Sequence, residues 1–168
     1  NYTDLLSPAA VKEFIRHTYE GYRTAVRAEF GRTVPGVFTD EPQWSQVPWS
    51  AELPKFFKKL HGYDLLPQLP LLVHHTPGST GLRYDFWRAA TELFVESYVK
   101  QLGQWCHTKK LALTGHLMGE DSLSSQSRFI GAAMPHYPHM QIPGIDQLGR
   151  FITDPLLCKQ ASSVAHQF

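Results

Sequence analysis

Gly36-Val37-Phe38-Thr39-Asp40-Glu41-Pro42 is the stretch on which the fold turns. From Val34 to Thr39 the residues are apolar, β-branched or aromatic in one short run, bounded by Gly31 before and by an acidic pair and a proline after. Such a run suits a strand buried on both faces, as strands of parallel sheets are. The acidic pair Asp40-Glu41 then falls at the strand's C-terminal end.

The flanking sequence is helical in pattern. Upstream, Ser7-Pro8 supplies an N-cap with proline at the first helical position, and Val11, Phe14, Ile15, Thr18, Tyr22 and Val26 keep helical spacing up to Gly31. One helix is expected there. Downstream comes a long excursion with Trp44 and Trp49, a short amphipathic helix around Phe56, Phe57 and Leu60, and a proline-rich loop from Pro67 to Pro77. Trp87, Ala90, Phe94, Tyr98 and Trp105 then mark a helix of some seven turns, from about Leu82 to His107, and Leu111 to Thr114 reads as a second buried strand ending in Gly115-His116. A small helix is expected near Arg128 to Met134, a third strand within Met140 to Asp146, and a last helix opening at Asp154-Pro155.

Strands alternating with helices, without a hairpin signal, predict a parallel α/β architecture. The chain lacks the Gly-x-Gly-x-x-Gly turn and the Gly-x-x-x-x-Gly-Lys loop of nucleotide-binding open sheets, so a (β/α)₈ barrel is favoured. In that fold the working groups project from the C-terminal strand ends, where Asp40, Glu41, His116 and Asp146 all fall.

Composition narrows the partners. Sixteen basic residues balance fifteen acidic ones, without a charge run that would track a phosphate backbone, so nucleic acid is not expected. A stretch of roughly 20 apolar residues, as a membrane span needs, is lacking. A soluble chain is expected, its compartment open. Cys106 and Cys158 lie far apart in helical segments and read as inert thiols, not as a metal or disulfide framework. The chain starts at Asn1 and stops at Phe168 in an unfinished helix, and is expected to be a piece of a longer protein.

Several residues invite chemistry. Glycosidic cleavage needs a carboxylic acid to protonate the leaving oxygen and a second carboxylate as nucleophile or base. Glu41, directly after a buried strand, suits the acid, in a partly desolvated pocket that would keep it protonated. Thr114 to Asp121 places His116, Glu120 and Asp121 just after a strand, fit to bind sugar hydroxyls or a hard cation. A zinc hydrolase built on His116, Glu120 and one of His136 or His139 is a minor alternative, lacking a His-Glu-x-x-His motif. Ser124, Ser125 and Ser127 lack a Gly-x-Ser-x-Gly elbow. Phe38, Trp44, Trp49 and Tyr137 are candidates for stacking on sugar faces.

Taken together, Gly36-Val37-Phe38-Thr39-Asp40-Glu41-Pro42, Leu113-Thr114-Gly115-His116-Leu117, Glu120-Asp121-Ser122-Leu123 with Ser125-Gln126, Ala133-Met134-Pro135-His136-Tyr137 and Ile142-Pro143-Gly144-Ile145-Asp146 resemble bacterial α-L-rhamnosidase-like glycoside hydrolases. The resemblance runs from the opening helix to Ser162-Ser163-Val164-Ala165-His166-Gln167. It implies that residues 1–168 are part of one (β/α)₈ catalytic barrel, about its middle four βα units and incomplete at both ends, within a larger enzyme carrying accessory domains. It implies an inverting mechanism on terminal sugars, Glu41 as the acid of the Asp-Glu-Pro motif, and a calcium ion orienting the sugar. The sugar contacts expected are Asp40, Trp44, His116, Glu120, Asp121, His136 and Asp146; the metal ligands are left open. The family's base lies in a Ser-Glu-Thr motif that is lacking here, and Gln147 stands where an aromatic residue is usual. The competing reading from another class is a carbohydrate-binding module without catalysis.

Overall fold

The computed structural model describes residues 3–44, 47–152 and 154–168. Ser7 caps helix α1 (Pro8–His17) by accepting the Ala10 N–H, as its place before a proline predicts. The single expected helix is interrupted once, at Thr18, which separates α1 from α2 (Tyr19–Val26); a 3₁₀ turn at Arg27–Glu29 follows. Tyr19 continues the row of Val11 and Ile15 and is buried with them, its ring 5.5 Å from Phe14 and 5.2 Å from Trp105.

Strand β1 is Gly36–Thr39, two residues shorter at its start than expected because Pro35 has no N–H to give; its carbonyl still accepts from Ala112. Helix α3 (Leu53–His61) ends at Gly62 in the left-handed conformation. The proline-rich stretch is less irregular than expected: it holds a 3₁₀ turn at Leu66–Gln68 and the one-turn helix α4 (Pro70–Val73), both starting beside a proline.

The long helix forms, with one irregularity. It runs as α5 (Ser79–Phe94), a π-helical turn (Val95–Val99) and α6 (Lys100–Thr108). The wide turn brings Tyr98 under the end of β1, where its hydroxyl pairs with Thr39 Oγ1 at 2.7 Å, and Ser97 Oγ donates to the Leu6 carbonyl. Strand β2 (Ala112–Gly115) follows. The next helix is α7 (Leu123–Phe129), earlier than the expected Arg128 to Met134, because Ser122 caps it through the Ser125 N–H. After a 3₁₀ turn at Tyr137–His139, β3 is only Ile142–Pro143, and α8 (Leu156–Gln167) closes the chain. Its proline limits the third strand, as a missing N–H must.

The described residues therefore form three parallel strands in the order β1-β2-β3, one fewer than four βα units would supply. The register pairs Phe38 with Thr114 and Thr114 with Ile142. Leu113 and Thr39, which point the other way, are buried against the helices. Phe57, Phe86, Phe94, Leu102 and Tyr98 fill the core on that face, whereas Phe38 and Ile142 are more than half exposed. Cys106 is buried in α6, with its thiol pushed up to about 11 by desolvation, and Cys158 is half-buried in α8. Among the described residues, no helix is long and apolar enough to cross a membrane.

Candidate active site

Three strands end side by side because their last residues let them. A Cβ on Gly115 would sit 2.0 Å from the Thr39 carbonyl oxygen, and one on Gly144 would sit 2.5 Å from the Gly115 carbonyl. Glycine at both positions allows the His116 N–H to reach the Thr39 carbonyl and the Gly144 N–H to reach Gly115. The residues that follow are thereby brought to one place. Glu41, His116 and Asp146 each offer a ligand atom within 4.8 Å of the others.

Glu41 adopts φ +47°, left-handed backbone that a residue with a side chain rarely occupies. Strain of this kind costs about 1–3 kcal/mol and collects where geometry serves function. Its side chain is half-buried and faces a cavity of about 690 Å³. Glu120, Asp121, Asp146 and Asp154 add carboxylates to that cavity, while Leu117, Met118, Phe129 and Phe151 add apolar wall. A space of this size, lined by both carboxylates and apolar side chains, suits a small polyol. Asp40 lies on the outer rim, its side chain 77% exposed, with Oδ1 3.2 Å from His116 Nε2. The other ring nitrogen of His116 is buried without a hydrogen-bond partner, and the Phe38 ring meets the imidazole edge-on at 5.5 Å.

Three expected sugar contacts need correction. Trp44 is buried: its Nε1–H donates to the Arg128 carbonyl and its ring packs on Trp87 and Phe94. The loop after β1 folds back and spends this tryptophan on the core. His136 is fully buried beside Phe94, with both ring nitrogens lacking partners, and desolvation pushes its pKa down to about 4. Glu120 borders the cavity but is itself 2% exposed, and its oxygens already accept from the Leu117 N–H, the Tyr137 hydroxyl and the Asp146 N–H. Tyr137 is accordingly a core residue, not a stacking platform. Among the described residues, the group of possible ligands brought together is Glu41, His116 and Asp146, not the zinc set of His116, Glu120 and His136 or His139. Phe38 and Trp49 remain exposed.

Gln126 and Gln160, which the sequence reading gave no role, both donate to the Glu120 carbonyl. Gln126 stood within a motif that carries the resemblance, while Gln160 had no signal beyond its place in a helix.

The model of the family described as alpha-L-rhamnosidase matches residues 2–149. The chain belongs to the alpha-L-rhamnosidase family. A solved structure, the rhamnosidase from Novosphingobium sp. PP1Y, superposes with a TM-score of 0.74 over 97% of this chain, at 24% identity. The chain spans 16% of that protein's length. At this identity the likeness bears on the fold, which the two share. No curated protein matches the chain.

The rhamnosidase resemblance implies calcium, and the donors can be tested against it. Calcium takes six to eight oxygen ligands, and imidazole nitrogen suits softer ions. Glu41 and Asp146 fit that preference; His116 does not, and it already faces Asp40. A carboxylate bound directly to the ion would also be held ionised, which is incompatible with acting as an acid. Of the three, Asp146 is the oxygen donor compatible with an acid role for Glu41.

Proposed function

We propose that this chain is the acid-bearing part of a (β/α)₈ glycoside hydrolase that removes terminal α-L-rhamnoside-like sugars. The observation that carries the reading is the convergence of Glu41, His116 and Asp146 at the C-terminal ends of three adjacent parallel strands. A barrel is supported by the sheet's two faces. Leu113 and Thr39 face helices, while the row Phe38, Thr114 and Ile142 faces away from them, as the inner layer of a barrel would.

Glu41, half-buried at the cavity, protonates the departing glycosidic oxygen. The rhamnosidase resemblance assigns its partner, the base, to a later strand of the parent barrel, with an inverting outcome. Inverting enzymes hold their two carboxyl groups about 6.5–9.5 Å apart to admit a water, and Glu41 and Asp146, with ligand atoms within 4.8 Å, lie closer than that. Calcium, when bound, would be held here by the Asp146 carboxylate and would supply ligation of sugar hydroxyls. His116, braced by Asp40, and Asp121 at the rim complete the polar wall that orients the sugar, and the apolar wall excludes water.

The test is Glu41→Gln in the full-length enzyme. Substrates with poor leaving groups should slow by about 10²–10⁴-fold, whereas activated aryl glycosides, whose phenolate needs little protonation, should be far less affected. Equal losses on both would remove Glu41 from the acid role.

A further inference from the structure

We propose that Glu120 is the positioning residue of this site: its buried carboxylate ties together the loops that carry His116 and Asp146 and so sets the surroundings of Glu41. The proposal rests on the reading of that cluster as the glycosidase site.

Glu120 Oε1 accepts the Asp146 N–H at 2.7 Å, fixing the backbone of one cluster member directly. Oε2 accepts the Leu117 N–H at 3.0 Å, on the residue next to His116, and the Tyr137 hydroxyl at 2.8 Å. One rigid group thus spans the exits of β2 and β3. Its own backbone is held as firmly, since Gln126 on α7 and Gln160 on α8 both donate to its carbonyl, at 2.8 and 3.1 Å. Three donors converging on two oxygens match an ionised carboxylate, which has only acceptors to offer.

For stability alone this is a poor choice. A carboxylate at 2% exposure, without a lysine or arginine paired to it among the described contacts, carries a desolvation cost that its hydrogen bonds only offset, and burial accordingly holds its pKa above the ordinary range. A network of this kind at a cavity wall is where structure yields to function. At 2% exposure Glu120 is closed off from a sugar in the cavity, and it acts through the two loops.

Glu120→Gln in the full-length enzyme separates the possibilities. The amide keeps the shape and one acceptor, but turns an NH₂ group toward one of the two backbone N–H groups, releasing one loop. We expect kcat to fall by about 10- to 100-fold, the range for a shift of about 1 Å in a catalytic group, with KM within about threefold. Tyr137→Phe, which leaves both backbone tethers in place, should keep kcat within about threefold. If Glu120→Gln does not accumulate as folded protein, Glu120→Asp, shorter by one methylene, should show the same loss of kcat. An unchanged kcat, a raised KM at constant kcat, or an equal loss in Tyr137→Phe would each overturn the proposal. Glu41→Gln run in parallel keeps the two failures apart. If it lacks the leaving-group dependence, the site reading fails; if it shows it while Glu120→Gln behaves as wild type, only the positioning role fails.

Discussion

His136 makes the protein sensitive to acid. Its ring is enclosed by apolar neighbours, and its folded pKa of about 4 lies well below the ordinary 6.5. Above pH 6.5 the imidazole is neutral whether folded or not, and nothing is lost. As the pH falls from 6.5 toward 4, the unfolded chain takes up a proton that the folded one refuses, so stability declines by up to about 3 kcal/mol. Glu120 works in the opposite sense, since its raised pKa relieves a buried charge as acid is added. Melting temperatures between pH 7.5 and 4.5 should therefore fall more steeply in wild type than in His136→Leu, and parallel curves would remove His136 as the cause. Asp146 carries a second prediction at this scale. Chelation should inactivate the parent enzyme and calcium should restore it, with Asp146→Asn raising the calcium needed by about tenfold or more, a lost ligand being worth on the order of 1.4 kcal/mol. A wild-type calcium response in that variant would remove Asp146 from the ion. Glu41, His116 and Asp146 were legible as residues because each follows a short apolar run, and a strand end needs only local sequence to be seen. Trp44, His136 and Glu120 were not, because whether a side chain faces solvent or core is decided by segments remote in sequence, such as Arg128 for the tryptophan and Tyr137 for the glutamate.

Among the elements, the strand ends tolerate least. Gly115 has φ +141°, and an added Cβ would overlap the Thr39 carbonyl, so Gly115→Ala combines backbone strain with a clash that neither strand can escape. A loss of about 2–3 kcal/mol is expected. Gly21 in α2 is the contrast: it has open space around it, and Gly21→Ala should gain about 0.5–1 kcal/mol from lower unfolded-state entropy and better helix propensity. Chemical unfolding of both variants of the parent protein checks the pair, and a tolerated Gly115→Ala would mean that β1 and β2 can separate at that end. The elements themselves were well marked in sequence where a cap or a proline gave the boundary, as at Ser7-Pro8. Boundaries without such a signal were not, as at Thr18, where α1 ends and α2 begins inside one regular run.

For the whole molecule, the consequence of three strands is an unfinished sheet. Among the described residues β1 and β3 are edges, and Phe38 and Ile142 lie exposed between them on the face without helices. A barrel of this class takes about 250 residues to close. Residues 1–168 alone are expected to associate in solution through these edges and this face, and to leave aryl rhamnosides intact for want of a second carboxyl group at a working distance. Light scattering and an aryl-rhamnoside assay, with a version extended through the rest of the barrel alongside, test both points. Turnover by the shorter protein that Glu41→Gln abolishes would place both catalytic groups within it. The parallel α/β class was readable from the alternation of patterns; how far each strand runs was not, because pairing depends on which N–H groups a neighbour can meet, and Pro35 and Pro143 withhold theirs.

The π-helical turn at Val95–Val99 leaves a mark that reaches beyond one protein. Compared with an unbroken α-helix it holds one residue more per turn, which is the footprint of a single-codon insertion. A lineage that lost that codon would regain a regular helix but would swing Tyr98 about 100° around the axis, away from Thr39. In an alignment of relatives, a one-residue gap between Phe94 and Lys100 should therefore coincide with a change of residue at the last position of β1.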